Sequence, residues 1–324
     1  MLKALFFLTC NMNKALWILF LVTQFIYSCS HDKIKNKNYL TKYIVVLVVD
    51  GPRYSETWGD FSHKYIPFMD SVLAPKGIIL TSYYNLGQTW TTNGHTALTT
   101  GYYQAINNGG QELPVHSSFF QHWLNESGAE QKEAWIIASK DKLEVLANCK
   151  DTRWKNKSMP KTDCGVSGLG SGYRHDSITF KKAIEVMDAY HPKLLLVNFR
   201  EPDFSGHQNN WGNYLAGIKN SDAYCYEIWK KIQSDPIYKD KTSLFISNDH
   251  GRHLNGVQNG FVSHGDDCDG CRHINLYCFG PDFKSNSINS SPHSLIDVHA
   301  TILELLHLNG ASTSGEVMRE IFKQ

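Results

Sequence analysis

Residues 43–51 read Tyr-Ile-Val-Val-Leu-Val-Val-Asp-Gly, seven apolar residues closing on an acid and a glycine. A strand with one solvated face alternates apolar with polar residues. An unbroken, mostly β-branched run instead predicts a strand over 43–49 that is buried on both faces, as in a parallel sheet covered by helices. Working outward, similar runs predict strands at 78–82, 135–139, 194–199, 244–247 and 274–279. Apolar residues three and four apart predict helices over 117–124, 178–190, 214–232 and 295–308. Strands alternating with helices give an α/β fold, a three-layer αβα sandwich with a mostly parallel central sheet. Stretches 150–176 and 251–272 lack periodicity, and loops of that length in a compact domain are usually functional.

Composition limits the function classes. The chain has 324 residues, with 32 Lys and Arg against 31 Asp and Glu, a formal charge of +1. That balance lacks the basic excess of a nucleic-acid binder. Hydrophobic residues at 42% and charged residues at 19% describe a folded chain with a full core.

The N-terminus reads as a leader. Met12-Asn13-Lys14 precedes an apolar run over 15–27 that ends at Ser28-Cys29. A short basic start, a brief apolar core and a small residue before the break describe a signal peptide over 1–28, with Met12 a better start than Met1. Its end resembles a bacterial lipoprotein signal. Cys29 is then the lipidated residue, 29–42 a tether and 43–324 the working domain. The expected location is the periplasm or the outer membrane of a bacterium, on a lipid anchor.

The chemistry falls after the expected strands, where ligands gather in such sheets. The first strand runs into Asp50, and 194–199 runs into Arg200-Glu201-Pro202-Asp203-Phe204-Ser205-Gly206-His207. The strand at 244–247 runs into Asn248-Asp249-His250-Gly251, and Ser263-His264-Gly265-Asp266 follows a loop. Carboxylate plus imidazole suits zinc and similar divalent ions. Thr91-Thr92-Asn93-Gly94-His95 opens another expected helix, whose N-terminus favours an oxyanion.

Taken together, these segments resemble the alkaline phosphatase superfamily, above all its nucleotide pyrophosphatase/phosphodiesterase and threonine-type alkaline phosphatase branches. The first Asp, Thr-x-x-Gly-His, Glu-Pro-Asp-x-x-Gly-His, Asp-His-Gly and the later His-Gly occur in the family's order over nearly all of the mature chain. The resemblance implies an alkaline-phosphatase-like fold and two divalent metal ions, zinc foremost. Asp50, Asp249 and His250 would hold one ion together with the oxygen of Thr91, and Asp203, His207 and His264 the other. Thr91 is implied as the nucleophile that forms a phosphothreonine, with Thr89 and Thr92 as near alternatives. Lys140-Asp141-Lys142 resembles the Lys-Asp-Arg turn of the threonine-type enzymes. It implies Lys140 and Lys142 as contacts to the substrate phosphoryl group.

The chain also departs from these relatives. Gly94 stands where Asn is usual before His95, and Asn107-Asn108-Gly109 replaces an expected His-Gly. Asn93, Asn107 and Asn108 all remain candidates for the oxyanion donor. No Cys-x-Pro-x-Arg occurs, which disfavours a formylglycine sulfatase. The resulting expectation is a hydrolase of small phosphate monoesters. Phosphodiester, pyrophosphate or sulfate ester hydrolysis on the same residues is the alternative. A rival of another class is a non-catalytic surface lipoprotein that captures glycans through Trp154, Tyr173 and Trp211. Of the 8 Cys, Cys268 and Cys271 are expected to form a local disulfide or to pair with Cys149 and Cys164, as export favours. A zinc site there would need two more ligands. Cys225 and Cys278 are expected in the core.

Overall fold

A computed structural model describes residues 38–308 and 310–323. The expected signal peptide and Cys29 lie outside the described residues. The chain divides into two units, Met1–Tyr39 and Leu40–Gln324, and the second contains the whole sheet. Among the described residues, no helix is long and apolar enough to cross a membrane.

Among the described residues the sheet has nine strands. In chain order they are β1 (Tyr43–Val49), β2 (Gly77–Tyr84), β3 (Ala134–Ala138), β4 (Lys161–Cys164), β5 (Leu194–Phe199), β6 (Thr242–Asn248), β7 (His273–Phe279), β8 (Ser287–Asn289) and β9 (His293–Ser294). Their spatial order is β4-β3-β5-β1-β6-β7-β2-β8, with β9 also on β2. Strand β7 runs antiparallel to β6 and β2, and the other pairings are parallel. All seven residues of β1 are buried, as the opening run predicts for a strand covered on both faces.

Around the sheet stand α1 (Thr91–Thr100), α2 (Phe119–Ser127), α3 (Asp176–Tyr190), α4 (Asp203–His207), α5 (Trp211–Ser234), α6 (Asp269–Arg272) and α7 (Leu295–Leu305). Tyr43, Val45, Leu47 and Val49 of β1 share a core with Ala183, Val186 and Met187 of α3 and with Ile218, Cys225, Ile228 and Ile232 of α5. On α7, Ser294 and Asp297 form a reciprocal capping box. The fold is therefore mixed α/β, with a large, mostly parallel central sheet and helices around it.

The expected disulfides are not formed. Cys149, Cys164, Cys225, Cys268, Cys271 and Cys278 are all unbonded. Cys225 and Cys278 lie in the core as expected.

Candidate active site

The site follows from the register of the three middle strands. Val49 pairs with Phe199 on one side and with Asn248 on the other, so β5, β1 and β6 end level. Asp50 and Asp249 directly follow two of those ends, and Asp203 opens α4 after the third. Gly51 turns the chain sharply at φ +67°, and a Cβ there would lie 2.9 Å from Cβ of Asp203. Helix α1 closes in from the β2 side. A Cβ on Gly94 would meet the Asp249 carbonyl oxygen at 2.4 Å, so the departure from Asn lets α1 sit directly against the end of β6.

Thr91 is the first residue of α1 and is 1% exposed. Its hydroxyl accepts from Lys140 Nζ at 3.1 Å. The same ammonium lies 2.9 Å from Asp50 Oδ2 and 2.7 Å from Asp203 Oδ2. His95 Nδ1 is bonded to the Thr91 carbonyl at 2.9 Å, one turn back, which matches a structural role for His95.

Asp50, Asp249 and His250 offer ligand atoms that all lie within 4.8 Å of one another, and so do Asp203, His250 and His264. His250 thus belongs to both groups. His207 approaches from the rim with its side chain half exposed, its Nε2 lying 3.0 Å from His264 Nε2 and 3.4 Å from Asp203 Oδ1. His250 Nδ1 faces the Gly251 carbonyl at 2.9 Å and His264 Nδ1 faces the Thr89 carbonyl at 2.7 Å. The Nδ1 of His250 therefore carries the proton and its Nε2 faces the site without a partner, whereas His264 Nε2 pairs with His207 Nε2. Asp50 Oδ1, Asp249 Oδ2 and His250 Nε2 are buried and have no hydrogen-bond partner. Buried polar atoms are rarely left so, and three that converge fit a bound cation.

The electrostatics agree. Burial and the neighbouring Asp249 push the carboxyl of Asp50 well above the usual range. Burial acts upward on Asp203 too, but Lys140, His264 and Arg252 outweigh it and hold that carboxyl well below the usual range. Burial pushes His250 down to about 3, and burial with Arg252 nearby takes His207 down to about 4. Both rings are therefore neutral near pH 7, the form that ligates metals. Burial tends to neutralise Lys140, yet Asp203 and Asp50 more than offset it and keep it charged. Asp203 and Asp249, both held low, balance the cations of Lys140 and Arg252, and an added cation would let Asp50 ionise as well.

The remaining predicted residues sit farther out. Asn93 donates its amide hydrogens to Gln88 Oε1 and the Gln104 carbonyl, so its Nδ2 does not serve Thr91. Asn107 is exposed and its Oδ1 accepts from the amide of Gly109. Asn108 is the candidate at the start of α1, its Oδ1 accepting from Thr92 N and from Lys142 Nζ, each at 3.0 Å. Lys142 is held down to about 8 by burial and by Lys140. The aromatic residues of the glycan-binding reading are engaged separately. Trp154 packs on His122, and Trp211 on Tyr214 and Phe261. Tyr173 lies 5.6 Å from Lys140 Nζ.

Two residues escape the sequence reading. Arg252 has no exposed surface and binds Asp203, the carbonyls of Phe261 and Val262, and His207 Nδ1. Asn198 donates to Asp50 Oδ2 at 3.3 Å from inside β5. Its signal is the single polar residue in Leu-Leu-Leu-Val-Asn-Phe, a break that an all-buried strand tolerates only with a partner.

The family model for sulfatases matches residues 42–308. No curated protein sequence matches the chain. Among solved structures, the phosphonate monoester hydrolase of Silicibacter pomeroyi superposes with a TM-score of 0.60 at 12% identity, over 86% of this chain and 76% of its own. Murine ectonucleotide pyrophosphatase/phosphodiesterase 5 gives 0.61 at 14% identity, over 87% of this chain and 100% of its own. A protein of the alkaline phosphatase superfamily from Vibrio parahaemolyticus gives 0.58 at 16% identity, over 84% of this chain and 67% of its own. The chain belongs to the sulfatase family, with the fold of the alkaline phosphatase superfamily.

Proposed function

We propose that the chain is a metal-dependent phosphoric ester hydrolase in which Thr91 is the nucleophile, with small phosphate monoesters preferred. The observation that carries this reading is the buried Thr91 hydroxyl, held by Lys140 beside carboxylate and imidazole atoms that have no other partner. Two divalent ions, zinc foremost, would be held by Asp50, Asp249 and His250 and by Asp203, His264 and His207, and would supply Lewis acidity at the attacking and leaving oxygens.

The chain's own groups do the rest. Lys140 stays charged, so it stabilises Thr91 Oγ1 as an anion and does not take its proton. Attack by Oγ1 on phosphorus forms the Thr91–phosphate bond and breaks the bond to the leaving oxygen, which departs as the alcohol with the proton that Thr91 gives up. Water then attacks phosphorus, breaks the Oγ1–phosphorus bond and returns a proton to Oγ1, which releases phosphate and restores Thr91. Asn198 orients Asp50 from behind, and His95 packs 3.4 Å from Asp249 Oδ2 while its Nδ1 holds the Thr91 carbonyl. Lys142 and Asn108, which meet at the start of α1, would contact non-bridging oxygens.

Phosphodiester hydrolysis is the second reading, and one observation favours it. Lys140 is already matched by Asp50 and Asp203, which leaves Lys142 to meet the single phosphoryl charge that a diester carries. Purified protein should hydrolyse nitrophenyl phosphate in a chelator-sensitive way, faster than the corresponding diester and sulfate ester. Thr91→Ala should lower turnover by about 10³-fold or more while the Asp and His ligands still take up metal. A rate insensitive to both chelation and this substitution sinks the mechanism, and a faster diester rate selects the second reading.

A further inference from the structure

The loop after β6 carries a second group of ligand-type side chains, apart from those around Thr91. His253, Asp266, Cys268 and Cys271 offer a nitrogen, a carboxylate oxygen and two sulfurs, all within 4.8 Å of one another. In sequence, Cys268 and Cys271 lack the two further ligands that a zinc site needs. The fold supplies them from 15 and two residues before Cys268. We propose that these four side chains form a structural zinc site that fixes the 251–272 loop.

Local bonding orients each ligand. His253 Nδ1 is bonded to Ser263 Oγ at 2.9 Å, which leaves Nε2 to face the group. That Nε2 is buried and makes no hydrogen bond, although Asp266 Oδ2 lies 3.0 Å away. Two ligand atoms that close, unaligned for a hydrogen bond, are what a shared ion produces. Along a tetrahedron of Zn–N and Zn–O bonds of about 2.0 Å the edge is about 3.3 Å. The other oxygen of Asp266 accepts from the Cys268 amide at 3.1 Å, so Oδ1 is tied to backbone and Oδ2 is left for the metal. The amides of Cys271 and Arg272 both bond the Cys268 carbonyl at 3.1 Å, the tight turn that brings the two sulfurs to one side. Gly270 is required inside it, since a Cβ there would lie 2.5 Å from the Arg252 carbonyl oxygen.

The ligand set argues for structure over catalysis. Four protein ligands close a tetrahedral site, whereas a catalytic zinc keeps one position open. Two thiolates suit zinc and would be poor ligands for magnesium or calcium. The position gives the site its purpose. Arg252 and His264, which meet Asp203, lie next to His253 and two residues before Asp266, so an ion here pins both ends of the segment that delivers them.

Cobalt(II) separates this site from the one around Thr91, because only thiolate ligands give an intense near-ultraviolet charge-transfer band and the Thr91 group has none. The mature full chain, loaded with cobalt after reduction, should show that band. Cys268→Ser and Cys271→Ser should each abolish or greatly weaken it, and Asp50→Asn should leave it intact. Should the cysteine variants fail to fold, the half-exposed Asp266→Asn should fold and bind cobalt at least about tenfold more weakly, as loss of one ligand predicts. A wild-type protein without the band overturns the proposal. So does a Cys268–Cys271 disulfide found by mass spectrometry in protein purified without reductant. Both results would stand apart from the fate of Thr91→Ala.

Discussion

Arg252 shows how a site residue can act without touching substrate. Its nitrogens meet Asp203, His207 and the carbonyls of Phe261 and Val262 in a fully buried position. Arg252→Ala would leave the Asp203 carboxylate without its lateral partner and free its rotamer. Outer partners of this kind typically change metal affinity or activity by about 10–100-fold, and that loss is expected here in competitive metal titration and in kcat/KM. Lysine should rescue little, because it lacks the planar fork. Unchanged affinity and activity in Arg252→Ala would contradict the role. Asp50, Asp249 and His250 were legible because chemistry-bearing types follow apolar runs, whereas His264 follows a loop and was legible only by the family's later His-Gly. Arg252 was not, since an arginine after Asp-His-Gly reads the same whether it faces water or a buried acid. The donor role for Asn93 failed for a similar reason. Nothing in the sequence says that Gln88 and Gln104 will claim its amide.

Elements were read best where burial is complete. The run over 43–49 matches β1 throughout, because seven buried positions leave no polar residue to blur either edge. Leu47 has no exposed surface, and Leu47→Ala should destabilise the domain by about 2–5 kcal/mol in denaturant titration. A loss below about 1 kcal/mol would mean that the core around β1 collapses to fill the space. Helix limits were less legible. The helix expected over 214–232 spans Trp211–Ser234, started by the Asn210 side chain accepting from Asn213 N, a polar cap outside the apolar period. Helix α2 begins at Phe119, with Ser118 as its cap. Strand β4 was missed within 150–176 because Lys-Thr-Asp-Cys, at the sheet edge with one neighbour, carries no apolar run.

At the scale of the molecule, two buried histidines away from the site add to its acid sensitivity. Burial and Arg153 hold His122 down to about 4, from an ordinary 6.5. Burial and His122 take His299, whose ring nitrogens have no partner, down to about 3. Both are depressed in the fold, so below pH 6.5 the unfolded chain binds protons that the folded chain refuses. Their contribution is intact above pH 6.5 and is lost as the pH falls toward 4 and 3. The Tm should therefore drop between pH 7 and pH 4.5, and His299→Met should make that drop shallower. An equal slope in the variant would place the acid sensitivity elsewhere. The order of the strands carries a consequence of its own. Strand β1 is the first of the sheet to be synthesised, yet its neighbours β5 and β6 end only at Phe199 and Asn248. Such distant pairings are slow to form. Until both arrive, the most apolar strand of the sheet has two open edges, the state most prone to aggregation. A chain cut before residue 242 lacks β6 altogether, so for this protein a fragment is a solubility hazard as well as a chain without Asp249, His250 and His264.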